Sequence, residues 1–192
     1  MSVSTKTRER PAVFNLPNQL TVSRLVLALV LVGLMAFELY LASLLVFLLA
    51  ASTDWLDGYF ARKYGMITTL GRILDPFVDK IIICGVFISL VADPQSGVQA
   101  WMAVLIVGRE LLITALRSFL EQQGSDFSAS LSGKLKMIFQ CIAAGLSLFY
   151  LSLASKPPEL WYLLLASIWA AVILTVYSGV SYVRTALVLL RQ

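Results

Sequence analysis

Leu20 to Ser52 reads LTVSRLVLALVLVGLMAFELYLASLLVFLLAAS, almost unbroken apolar sequence with Arg24 and Glu38 as its charges. As one straight helix it would run roughly 50 Å at about 1.5 Å per residue. A bilayer's hydrocarbon core is about 30 Å thick, so the stretch is too long for a single span. We divide it near Glu38, which gives spans over about 20–37 and 40–62, although no Gly or Pro marks the turn.

Working outward, the chain alternates apolar blocks with short polar breaks. Residues 63–70 form a loop containing Gly65, and a third span over about 72–92 stops before the breaker pair Asp93-Pro94. A fourth span covers about 98–122 and leads into the polar loop EQQGSDFSAS at 121–130. A fifth covers about 133–154, Lys156-Pro157-Pro158 makes the next turn, and a sixth covers about 159–187. The expected fold is therefore all-α and integral to the membrane, with six transmembrane helices. Residues 13–19, VFNLPNQ, mix apolar and polar groups and suit a short interfacial helix. We thus expect a cytoplasmic segment over 1–19 carrying that juxtamembrane helix, and one membrane domain over 20–192. The apolar run from Leu20 is too long for the core of a secretory signal, so it is read as a retained span.

Composition agrees. The 192 residues are 59% hydrophobic and 14% charged, against about 25% charged in soluble domains. The net charge of +4 comes from basic residues that flank apolar blocks and form no aromatic-interleaved patch, so nucleic acid is not an expected partner. Cys84 and Cys141 both sit in apolar blocks and read as reduced, packed thiols.

Orientation follows from the basic residues. Lys6, Arg8, Arg10, Arg62, Lys63, Arg72, Lys134, Lys136, Arg184 and Arg191 lie at one set of span ends, and Lys156 lies at the other. Both termini and the loops 62–72 and 121–133 are expected on the cytoplasmic side of the cell's inner membrane.

That side carries four acids: Asp54 and Asp57 on span two, Asp75 and Asp79 on span three. Residues three or four apart share a helix face, so each pair points one way. A buried Asp costs about 2.5–3.5 kcal/mol at the bilayer centre, less toward the interface. Four on neighbouring helices also repel one another and would hold protons unless cations neutralise them. Divalent ions remove both penalties. Histidine is absent, so the donors are carboxylates, which suit Mg²⁺ or Mn²⁺ rather than zinc.

Gly58 and Ala61 extend the Asp54 face by four and seven residues, and Gly71 precedes Asp75 by one turn. Small residues there leave room for a flat or bulky ligand, or permit close helix packing. Arg62 could hold a phosphate or serve as a positive-inside anchor. A second polar group lies on spans four and five: Arg109, Glu110 and Arg117, then Lys134 and Lys136. Arg109 is costly inside an apolar span, so it should pair with Glu110 of a neighbouring chain or segment or face a polar cavity. Together Arg109, Arg117, Lys134 and Lys136 could bind an anion, and an acceptor carrying phosphate would need such a site.

The pattern D-x-x-D-G-x-x-A-R-x8-G-x-x-x-D-x-x-x-D, from Asp54 to Asp79, resembles that of the CDP-alcohol phosphatidyltransferases at every defined position. The resemblance implies a six-helix membrane enzyme, commonly homodimeric, that displaces CMP from a CDP-linked lipid with an alcohol. It implies one metal on Asp54, Asp57 and Asp75 and a second on Asp57, Asp75 and Asp79, with Asp79 also the general base. It implies a CDP pocket at Asp54, Gly58, Ala61, Arg62 and Gly71. Three further strings, starting at Asn15, Gly108 and Gly133, resemble the branch whose acceptor is sn-glycerol 3-phosphate and whose lipid donor is CDP-diacylglycerol. That branch makes phosphatidylglycerol phosphate. Other acceptors within the family are inositol phosphate and phosphatidylglycerol. Outside it, a prenyltransferase would lack the Gly58/Ala61-Arg62/Gly71 frame, and a cation transporter would place its acids near mid-membrane.

Overall fold

The computed structural model describes residues 16–64, 69–122 and 131–189, and at 16–21, 54–77, 79, 121–132, 134 and 189 the backbone at most. Among the described residues six long helices follow one another: α1 (Leu16–Ala36), α2 (Tyr40–Tyr64), α3 (Thr69–Leu90), α4 (Ala100–Gln122), α5 (Leu131–Ser152) and α6 (Pro158–Leu189). A 3-10 turn, Pro94–Ser96, stands between α3 and α4. The described residues contain no strand.

Each expected block is a helix, with ends shifted by a few residues. The juxtamembrane segment differs in form. Leu16 to Ala36 is one continuous helix, so residues 16–19 are the first turn of α1, and residues 1–15 lie outside the described residues.

The break near Glu38 is real and has a backbone cause. Glu38 adopts φ 58, the left-handed conformation usually left to Gly. The Glu38 N–H donates to the Met35 carbonyl at 3.0 Å, and the Leu39 N–H to the Leu34 carbonyl at 3.0 Å. These two bonds close the end of α1 in a Schellman motif. Satisfying the carbonyls offsets the strain that a side chain incurs there, so the turn forms without Gly or Pro.

The Asp93-Pro94 break ends α3 as expected. The Asp93 carboxylate accepts from the Gln95 N–H at 2.8 Å and from the Tyr40 hydroxyl at 2.9 Å, which ties the starts of α2 and the 3-10 turn together. Ser96 is buried, donates to the Leu90 carbonyl at 2.6 Å, and accepts at its own carbonyl from Ser147 at 3.0 Å. The turn is thereby plugged between α3 and α5.

Packing closes the helices into a ring. α1 packs on α2 and α3, α5 on α2 and α6, and α4 on α3 and α6, while α3 also reaches α5 across the middle. Leu31, Phe47, Phe87, Ile106, Ala143, Leu148, Leu164 and Ile168 fill the interior. Outward faces are equally apolar: Val26, Leu29, Leu45, Val104, Leu111, Ile173 and Val180 are exposed. A helix apolar all round suits lipid, where no polar outer face is needed.

Segments Leu135–Ser152 of α5 and Pro158–Val188 of α6 are long and apolar enough to cross a membrane. Val22–Ala36, Tyr40–Thr53 and Lys80–Leu90 are apolar over shorter lengths. In α2 and α3 the rest of each helix is the aspartate-bearing part. Cys84 and Cys141 are reduced thiols, as read from the sequence.

Candidate active site

The site starts from helix register. Asp54 and Asp57 lie in the second half of α2, and Asp75 and Asp79 in the first half of α3. Gly58, Ala61 and Arg62 continue α2, and Gly71 lies in the opening turns of α3. The four acids therefore lie in the halves of α2 and α3 that are consecutive along the chain. Their side chains, with those of Gly58 to Arg62 and of Lys134, lie outside the described residues. The turn leading into Asp54 is described: Ser52 donates to the Leu49 carbonyl and Thr53 to the Ala50 carbonyl, both at 2.8 Å. Such back-bonding satisfies the two hydroxyls on the helix's own carbonyls.

Beside these helices lies a charged cluster built around one carboxylate. Glu110 of α4 is 1% exposed. Its Oε2 accepts from Lys80 Nζ of α3 at 2.5 Å. Its Oε1 accepts from Arg109 at 3.2 Å and from Lys136 Nζ of α5. Side-chain exposure falls from 30% at Lys80 to 9% at Arg109 and 5% at Lys136. The cluster thus opens at Lys80 and is sealed at Lys136.

Arg109 is held on several sides. It donates to Ser178 Oγ of α6 at 2.9 Å, and its guanidinium lies over the Tyr182 ring at 5.5 Å. Gly179 makes room for its stem: a Cβ there would lie 3.3 Å from Arg109 Cγ. The Arg109 Nε is buried with no hydrogen-bond partner, and so is that of Arg117. Deeper in the bundle Gln140 donates to Thr175 at 2.9 Å, which joins α5 to α6.

The expectation for Arg109 is sharpened by this arrangement. Within the chain its ion-pair partner is Glu110, the adjacent residue. Lys136, expected among the anion-binding cations, has its ammonium on Glu110. Lys80 belongs to the same cluster although nothing in its local sequence marks it. It follows Asp79 directly, and its meeting with Glu110, 30 residues away, is a tertiary event.

The donor set at the helix ends consists of four carboxylates without histidine, from two consecutive helices. That chemistry fits a hard divalent cation. The match extends to the chain as a whole. A family model described as CDP-alcohol phosphatidyltransferase matches residues 14–177. The chain belongs to the CDP-alcohol phosphatidyltransferase family. A Bacillus subtilis relative named CDP-diacylglycerol–glycerol-3-phosphate 3-phosphatidyltransferase is 34% identical, covering 88% of this chain and 93% of its own. Relatives with the same name from Rickettsia bellii and Haemophilus influenzae are 36% and 32% identical. They cover 88% and 90% of this chain and 94% of their own in each case. This CDP-alcohol phosphatidyltransferase is a transferase and a membrane protein, and its apolar outer faces are what that environment requires.

Proposed function

We propose that the chain transfers the phosphatidyl group of CDP-diacylglycerol to sn-glycerol 3-phosphate, giving phosphatidylglycerol phosphate and CMP. The observation that carries this reading is the near full-length likeness to relatives named for that reaction. The cation cluster around Glu110 of α4, which takes in Lys80 of the helix that also bears Asp75 and Asp79, supports an acceptor that is itself an anion.

In this reading Asp54, Asp57, Asp75 and Asp79 hold two divalent ions, Mg²⁺ or Mn²⁺. When bound, the metal supplies positive charge that neutralises the diphosphate and the departing CMP. Asp54, Gly58, Ala61, Arg62 and Gly71 line the CDP pocket, the small residues admitting the nucleotide and Arg62 meeting a phosphate. Arg109, Arg117, Lys134 and Lys136 surround the acceptor phosphate. Asp79 takes the proton of the acceptor hydroxyl. The hydroxyl oxygen bonds to the phosphorus that carries diacylglycerol, the bond from that phosphorus to CMP breaks, and CMP leaves with the bonding pair.

The same reading places six spans in the cell's inner membrane, with both termini and the site cytoplasmic. Residues 20–192 form the membrane domain and 1–19 a cytoplasmic lead-in. It also takes the enzyme to be a homodimer, as the family resemblance implies.

An acceptor panel tests the proposal. Purified protein is given CDP-diacylglycerol and Mn²⁺ with glycerol 3-phosphate, inositol phosphate, serine or phosphatidylglycerol, and the lipid product is identified. Glycerol 3-phosphate should support CMP release and yield phosphatidylglycerol phosphate. Turnover with inositol phosphate or phosphatidylglycerol in its place would assign another acceptor within the family. No CMP release with any of them would refute the transfer.

A further inference from the structure

The carboxylate of Glu110 has no part in the roles proposed above, yet it is the most buried charge of the cluster. It draws together groups from three helices: Lys80 of α3, Arg109 of its own α4 and Lys136 of α5. A purely structural link at this depth has a less costly solution. Packed apolar side chains often stabilise a core as well as a buried ion pair, or better, because they avoid desolvating charge. The arrangement therefore needs a reason beyond adhesion.

Charge balance supplies one. Even leaving Lys80 aside, Arg109 and Lys136 share a single carboxylate oxygen, so positive charge is in surplus where side chains are at least nine-tenths buried. The Arg109 Nε is buried with no hydrogen-bond partner. A surplus of cations with a spare donor is what a phosphate dianion would complete. Without an anchor, the like charges of Arg109 and Lys136, which meet at one carboxylate oxygen, would move apart. Glu110 holds them together, and Ser178 and Tyr182 fix the far side of Arg109. Because Lys80 is next in sequence to Asp79, the same grip sets the rotation of α3 about its axis at the residue proposed as the base.

We infer that Glu110 is a positioning residue: by gathering Lys80, Arg109 and Lys136 it shapes the cleft that receives the phosphate of the acceptor. The inference rests on the proposed phosphatidyl transfer. It differs from charge neutralisation alone, in which removing the carboxylate would make the cleft more positive and tighten anion binding.

Glu110→Asp keeps the charge and shortens its reach; Glu110→Gln keeps the shape and removes the charge. Both are compared with wild type for the apparent KM of each substrate and for the thermal shift produced by glycerol 3-phosphate. Glu110→Asp should raise the acceptor KM several-fold and Glu110→Gln about ten-fold or more, with the KM for CDP-diacylglycerol changed less than two-fold. The thermal shift given by glycerol 3-phosphate should be lost in Glu110→Gln. An acceptor KM that is unchanged or lowered, or two KM values rising in parallel in folded protein, would overturn the inference. If Glu110→Gln does not fold, Glu110→Asp and Lys80→Met take the same two measurements. The thermal shift separates this inference from the transfer itself. A wild type that releases no CMP, yet is protected by glycerol 3-phosphate in a Glu110-dependent way, would refute the reaction and leave the anion cleft standing.

Discussion

Lys136 of α5 places its ammonium on the carboxylate of Glu110 in α4, 26 residues away, with both side chains almost wholly buried. Their helices have their main packing partners elsewhere, α4 on α3 and α6, α5 on α2 and α6. The pair is thus a polar bridge across the bundle, and Lys80 and Arg109 complete it.

Breaking this bridge from its two ends should have unequal effects. Removing one partner of a buried pair costs about 3–5 kcal/mol when the other is left uncompensated. Lys136→Met leaves Glu110 with Lys80 and Arg109, so its loss should fall below that range. Glu110→Gln leaves the buried Arg109 and Lys136 without their carboxylate and should destabilise more. The double variant Glu110→Gln/Lys136→Met should be more stable than Glu110→Gln alone, since one of the stranded cations is gone. Thermal unfolding of the detergent-solubilised protein measures all three. Additive losses would show that the two side chains do not act as a pair.

Asp79→Asn should abolish CMP release while the protein keeps its fold, because an amide cannot take the proton of the acceptor hydroxyl. A drop of at least about 100-fold is expected from loss of general-base catalysis alone. Chelation of divalent ions should silence the wild type, and added Mn²⁺ should restore it. Release of CMP by Asp79→Asn at the wild-type rate would remove Asp79 from the chemistry.

Gly133 opens α5 next to Lys134, and a Cβ there would lie 2.9 Å from the Tyr182 hydroxyl. Gly133→Ala should therefore push α5 and α6 apart near the start of α5, at a cost of about 1–3 kcal/mol. In a Tyr182→Phe background the nearest remaining atom is 3.4 Å away, an ordinary contact, so the penalty should largely vanish. Equal penalties in both backgrounds would place the strain elsewhere.

Glu38 holds its left-handed conformation at φ 58. Glu38→Gly should stabilise the α1–α2 turn by about 1 kcal/mol, the approximate cost of a side chain in that region. Glu38→Pro should destabilise strongly, since Pro cannot adopt positive φ. Melting temperatures of the two variants should move in opposite directions.

The helices were legible because their signal is local. Apolar block length, the Asp93-Pro94 and Lys156-Pro157-Pro158 breaks, and the charge at Glu38 each act within a few residues. The turn at Glu38 was placed from charge alone; the backbone bonds that make it possible could not be read from residue types. The family was legible for a similar reason, since the motif from Asp54 to Asp79 is a contiguous pattern on two successive helices.

By itself, then, the sequence determined six helices, their order and the two aspartate pairs in register, all of which follow from spacing along one chain. Tertiary structure alone decided that the partner of Arg109 is its own neighbour Glu110, and that Lys80 and Lys136 arrive at the same carboxylate from other helices. No periodicity relates residues on α3, α4 and α5. Their meeting depends on how the six helices close into a ring, and a buried charge takes whatever counter-charge that closure brings within reach.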